Sequence, residues 1–132
     1  MDDEQPPSGV HVADPETSAP RPMARRGGRS TRLIDPSCGA QTLDLHLNIL
    51  EGGGSRDEAP YHLHSNAENV YYVLEGRLGL RLEGEDRFVE QGQAVFIPPN
   101  LPHAVWNAGE GEARLIEIYA PPDADFVRLD EA

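Results

Sequence analysis

The chain has 132 residues, 38% of them apolar, with 13 glycines, 12 prolines and a net charge of −12; that length admits one domain, and the turn-rich balance favours short strands over long helices. No apolar run reaches the roughly 20 residues needed to cross a bilayer, and an acidic body repels phosphate backbones, which argues against membrane and nucleic-acid partners alike. All eleven cationic side chains are arginine, excluding Schiff-base chemistry on a lysine of this chain, and the lone Cys38 excludes an internal disulfide and fits a reducing compartment.

Residues 1–22 carry five prolines, few large apolar residues and no periodicity. Their acidic start, MDDEQPPSG, is unlike the positive n-region of a secretory signal, so a cytoplasmic location is expected. Residues 1–32 are read as a flexible or partner-ordered N-terminal arm, with order beginning between Met23 and Ile34. This arm holds five acids and five arginines, so the charge deficit falls entirely on residues 33–132, the expected single domain. The cluster Arg25, Arg26 and Arg29 reads as a solvated arm or an interface strand.

From residue 41 the pattern is that of strands. Gln41–Leu50 alternates, with Leu43, Leu45, Leu47 and Ile49 on one face and Asp44, His46 and Asn48 on the other. Further strands are predicted near 70–74, 78–82, 87–89, 94–97, 103–107 and 114–119, separated by turns such as Gly84-Glu-Asp86, Gln91-Gly92 and Pro98-Pro99-Asn100. No segment has a helical period. Short strands at regular spacing predict an all-β antiparallel sandwich or barrel.

Two segments carry chemistry. In the first, His62 and His64 are two apart on an extended stretch, so both rings point to one face and come close enough to share an ion. Neutral imidazole suits zinc, iron, nickel, copper and manganese. In the second, a strand from Gly92 ends at Pro98-Pro-Asn100, where asparagine tolerates the left-handed conformation, and His103 opens the next strand.

Together these segments resemble the two motifs of the cupin family. The second fits at Gly92, Pro98, His103 and Asn107, with Asn100 in place of the middle glycine; the first supplies His62, His64 and Gly76 but departs in its glycine spacing. The resemblance covers residues 40–120 and implies an antiparallel jelly-roll β-barrel, a homodimer, and one divalent transition metal ion (Fe, Mn, Ni or Zn) held by His62, His64 and His103. The family's carboxylate ligand falls on Glu68 when counted from His64 and on Asn69 when counted back from Gly76; Glu68 is favoured, and strand register separates the two.

Such an open site implies a metal-dependent protein acting on a small organic molecule. The readings are a mononuclear non-heme oxygenase, or a related metal-assisted isomerase, cyclase or decarboxylase. The alternative is a non-catalytic cupin that binds metal and small molecules. Glu68 and Glu117 are the candidate proton carriers, Glu117 because it interrupts the apolar strand Leu115–Tyr119. His46 is a weaker cavity candidate. Tyr71, Tyr72, Phe96, Trp106 and Tyr119 read chiefly as packing residues, and Asn107 as a strand tie.

Overall fold

The computed structural model describes residues 9–23, 25, 27–52 and 56–130. Eleven strands run in chain order: β1 (Arg21–Pro22), β2 (Gly28–Ile34), β3 (Asp44–Leu50), β4 (His62–Leu63), β5 (Glu68–Glu75), β6 (Arg77–Leu82), β7 (Glu85–Glu90), β8 (Ala94–Ile97), β9 (His103–Asn107), β10 (Ala113–Ala120) and β11 (Val127–Arg128). The helical content among the described residues is three single 3-10 turns. Two antiparallel sheets form, β1-β2-β3-β10-β5-β8 and β11-β4-β9-β6-β7, and they face one another as a jelly roll.

All seven predicted strands are present. The extended stretch that carries His62 and His64 forms β4. Three further strands have no clear signal in the sequence: β1 and β11 are two-residue pairings too short to show a period, whereas β2 begins within the stretch expected to be an arm. β2 pairs with β3 from Gly28↔Leu50 to Arg32↔His46, so the sheet extends across the expected boundary at residue 32. Its arginines and small polar residues hide it, because Thr31 is the one position buried on that strand.

Between the sheets lies a core of Leu50, Tyr71, Val73, Leu78, Leu80, Val89, Ile97, Val105, Ala113 and Leu115. Truncating a side chain of this kind typically costs about 2–5 kcal/mol. The barrel interior does not stay apolar along its length. On β3 the inward row runs Leu50, Asn48, His46, Asp44, and opposite it on β10 runs Ala113, Leu115, Glu117, Tyr119. The apolar alternates of β3, Leu45, Leu47 and Ile49, therefore face away from the cavity, and the polar face is the one enclosed.

Two local features fix the strands. Gly79 pairs with Trp106 across β6 and β9, and a Cβ on Gly79 would lie 2.2 Å from the indole ring, so no larger residue fits. Asn107 ties three segments together: its Nδ2 donates to the carbonyls of Leu50 (3.1 Å), Glu51 (3.1 Å) and Gly111 (2.7 Å), and its Oδ1 accepts from Gly109 N (2.9 Å). Asn107→Ala leaves these buried groups without partners. It is expected to lower unfolding stability by about 2–3 kcal/mol in urea titrations, with no change in bound metal; an unchanged midpoint contradicts the role as a tie.

Candidate metal centre and its cavity

His62 on β4 pairs directly opposite His103 on β9, and His64 lies two residues further along the same stretch. This register puts the three buried rings at one point, with centroids 4.3 Å (His62–His103), 4.8 Å (His62–His64) and 5.3 Å (His64–His103) apart. One ligand atom from each lies within 4.8 Å of the others. The turn before β9 supports the group from behind. Asn100, left-handed at φ 69°, donates its N–H to His64 O at 2.8 Å.

Each ring is oriented by its own backbone acceptor. Nδ1 of His62 bonds Pro60 O (2.9 Å), that of His103 bonds Leu101 O (2.9 Å), and that of His64 bonds Asp125 O (2.5 Å). A carbonyl only accepts, so each Nδ1 carries the proton and each Nε2 presents a lone pair. Nε2 of His64 and of His103 is buried with no protein partner. Burial lowers the pKa of both His62 and His103, that of His62 to about 3, with the neighbouring histidines adding to the shift. Three neutral, converging lone pairs fit a divalent transition ion.

The C-terminal stretch straps the group. The Phe126 ring stacks on His62 at 4.2 Å and 13°. Asp125, whose carbonyl orients His64, is clasped to the next two residues: its carboxylate accepts from Ser65 N (2.6 Å) and Ser65 Oγ, and its N–H donates to Asn66 Oδ1 (2.9 Å). These bonds from Ser65 hold the Asp125 carboxyl below the usual range. No motif pointed to this strap; a lone Asp-Ala-Asp-Phe run after a proline turn has no distinctive spacing.

The fourth ligand expected at Glu68 departs from what the structure contains. Glu68 is exposed on the outward face of β5, whereas Asn69, Tyr71 and Val73 face inward. One residue of register moves a side chain to the opposite face, and the pairing Asn69↔Tyr119 sets that register. Asn69 does not join the three rings either. Its Nδ2 donates to Glu117 Oε2 and Ile118 O, both at 3.1 Å, and its buried Oδ1 has no partner.

Glu117, the other acid singled out, is buried in the cavity wall. Asn48 Nδ2 donates to its Oε1 at 2.6 Å, Asn69 to its Oε2, and the hydroxyls of Tyr71 and Tyr119 bond it as well. Burial, reinforced by the Glu117 charge, raises both tyrosines well above their ordinary pKa, so both remain protonated donors. His46 is buried nearby, its ring edge-on to Tyr119 at 5.5 Å and its Nε2 3.4 Å from Asp44 Oδ1. Trp106, Tyr72 and Phe96 do not line this cavity. A space of about 60 Å³ opens between these groups, lined by His62, Glu117, Tyr71, Tyr119, Phe126 and Arg25 among others.

Comparison with known proteins places these elements in context. The family model described as "Cupin domain" matches residues 49–119. The chain is 34% identical over 101 residues to the polyketide synthase CurC of Streptomyces cyaneus, covering 76% of this chain and 64% of that protein. It is 36% identical over 66 residues to the quercetin 2,3-dioxygenase of Bacillus subtilis, covering 50% of this chain and 20% of that protein. The solved polyketide cyclase RemF from Streptomyces resistomycificus superposes with a TM-score of 0.74 at 24% identity, covering 93% of this chain and 87% of that one; this is a likeness of fold.

The lowered histidine pKa values give a pH dependence with a defined sign. An unfolded histidine takes up a proton near pH 6.5, whereas folded His62 resists it down to about 3. Stability from this source is therefore complete above about pH 6.5 and is lost as pH falls from there towards 3. In protein stripped of divalent ions, the melting temperature is expected to be flat above pH 6.5 and to drop below it. His62→Asn should make that drop shallower. A melting temperature that is level from pH 7 to 4.5 in the parent protein contradicts the assignment.

Proposed function

The chain belongs to the cupin family, and from that premise we propose that it is a metal-dependent enzyme acting on a small, carbonyl-bearing molecule of the polyketide class. The observation that carries this reading is the convergence of three imidazoles beside a cavity whose wall holds a buried carboxylate hydrogen-bonded by Asn48 and Asn69. His62, His64 and His103 would hold one divalent transition ion. Such an ion would supply Lewis acidity towards a carbonyl or enol oxygen, or a redox centre for dioxygen chemistry.

The remaining work falls to the chain's own side chains. Asn48 and Asn69 fix both oxygens of Glu117 and aim its charge at the cavity. Tyr71 and Tyr119, protonated at neutral pH, are the proton-bearing groups on that wall, so the Glu117–Tyr119 pair moves protons at the substrate. Val105, Leu115 and Phe126 form the apolar part of the wall. Glu68, on the outward face, takes no part. A cyclisation, isomerisation or decarboxylation is favoured over oxygenation, because the wall is equipped for proton transfer and such reactions need no oxidant. The name of CurC supports the polyketide class, and that of the quercetin dioxygenase supports the oxygenase alternative over half of the chain. The same reading takes the protein as a homodimer joined through the outward face of the first sheet, where Tyr72, Leu74 and Phe96 are exposed.

Metal analysis of the purified protein tests the centre: about one equivalent is expected, falling at least tenfold in His62→Ala and His103→Ala, and unchanged content in the variants would sink the site. Incubating the loaded protein with diketone, catechol and polyketide panels in an oxygen electrode then separates the chemistries. Product without oxygen uptake supports the proton-transfer reading, oxygen uptake the oxygenase. Turnover of nothing points to the binding protein. Glu117→Gln should keep the metal and lower kcat by about 10²–10⁴-fold.

A further inference from the structure

The N-terminal segment closes one side of the cavity by a hairpin turn. Met23 N donates to Gly28 O at 3.1 Å, and Glu51 N donates to Gly27 O at 2.9 Å, which anchors the turn to the end of β3. The turn drives Met23 and Arg25 into the space beside His62. At Gly28 a Cβ would come within 3.0 Å of Arg25 Cγ and Met23 Sδ, so the small residue there leaves room for both.

Arg25 is poorly matched inside the protein. A guanidinium has five donors and keeps its charge. Among the described residues its hydrogen-bond acceptor is a neutral carbonyl, that of Val105. Glu117, the one carboxylate among the described residues that line the cavity, acts on it through space. That carboxylate is already engaged by Asn48, Asn69, Tyr71 and Tyr119. A cation partly buried beside Leu50, Pro60, Val105 and Phe126, whose one hydrogen-bond acceptor among the described residues is neutral, is costly unless something anionic arrives.

We propose that Arg25 is the anion-binding residue of this cavity, and that the ligand presents it with a carboxylate, enolate or phenolate oxygen held beside His62. The proposal rests on the cavity being the ligand site of the reading above, and it deepens that reading by stating the substrate's charge. It also gives the N-terminal segment a part in the site: the hairpin carries the residue that selects the ligand.

Benzoate and benzamide, which have nearly the same shape and differ in charge, are suitable probes. Titration calorimetry of the full chain, stripped of metal, is expected to show benzoate binding about tenfold or more tightly than benzamide. Arg25→Met should abolish that preference while keeping benzamide binding, melting temperature and metal content; Arg25→Lys should retain part of it. Equal binding of the two probes by the parent protein overturns the proposal without recourse to any variant. So does binding of neither, or a preference that survives Arg25→Met. Metal content is read separately. A protein that holds its ion yet ignores probe charge refutes Arg25 alone, and one that prefers benzoate yet holds no ion refutes the metal reading alone.

Discussion

Period-two alternation inside two closed-up sheets forces every second side chain into one shared interior, and the whole molecule depends on how that interior is divided. At one end the inward rows are apolar: Leu50, Val73, Leu78, Leu80, Val105 and Leu115 bury against each other and provide most of the cohesion. At the other end the same strands turn polar within two residues. Leu50 gives way to Asn48 and His46, Leu115 to Glu117, Val73 to Tyr71 and Asn69, and Val105 to His103. A barrel built only for stability would continue the apolar rows. Asn48, Glu117 and Asn107 are tolerated there because they have partners, whereas the buried Asn69 Oδ1 and the Nε2 atoms of His64 and His103 have none, and at the two imidazoles this leaves a lone pair for something else.

Orientation of the three imidazoles comes from backbone rather than from carboxylates. Pro60 O, Leu101 O and Asp125 O sit at chain turns, where a carbonyl has no ladder partner and is free to accept. Two of these acceptors are two residues before the histidine they orient, so local geometry nearly suffices. The third is sixty-one residues away and depends on the C-terminal strap. The clasp between Asp125 and Ser65 and the pairing of β11 with β4 are therefore what align His64 with the others.

Much of this was legible in the residues. His62 and His64 at two-residue spacing, the proline turn and His103 specify the centre, because strand periodicity converts spacing directly into facing. Asn100 was readable as left-handed, and Asn107 as a tie. The fourth position was not readable, since Glu68 and Asn69 differ by one step of register and the pairing with β10 that settles it lies fifty residues away. The fate of β3 was also obscure: alternation says that two faces exist, but a polar face enclosed in a cavity looks the same in sequence as one turned to water. Arg25 is the extreme case. Composition makes it one of five arginines in a polar arm, and only the hairpin turn, fixed by backbone bonds to Gly27 and Gly28, separates it from Arg29, which lies at the surface within 3.7 Å of Glu112.

The amide, in place of a carboxylate, at the inward position 69 and the presence of Arg25 are two parts of one electrostatic arrangement. Three imidazoles that keep neutral Nε2 lone pairs do not reduce the charge of a divalent ion bound to them, whereas a glutamate in the inward position would cancel one unit of it. With Asn69 there instead, the centre would stay doubly positive. Glu117 offsets part of this from the far wall, and Arg25 adds one positive charge back. Inside a poorly hydrated space such an excess attracts an anionic oxygen far more strongly than it would in water. The amide at position 69 and the guanidinium from the hairpin thus favour the same kind of ligand, one that arrives with a negative charge or acquires it by losing a proton to the Glu117 wall.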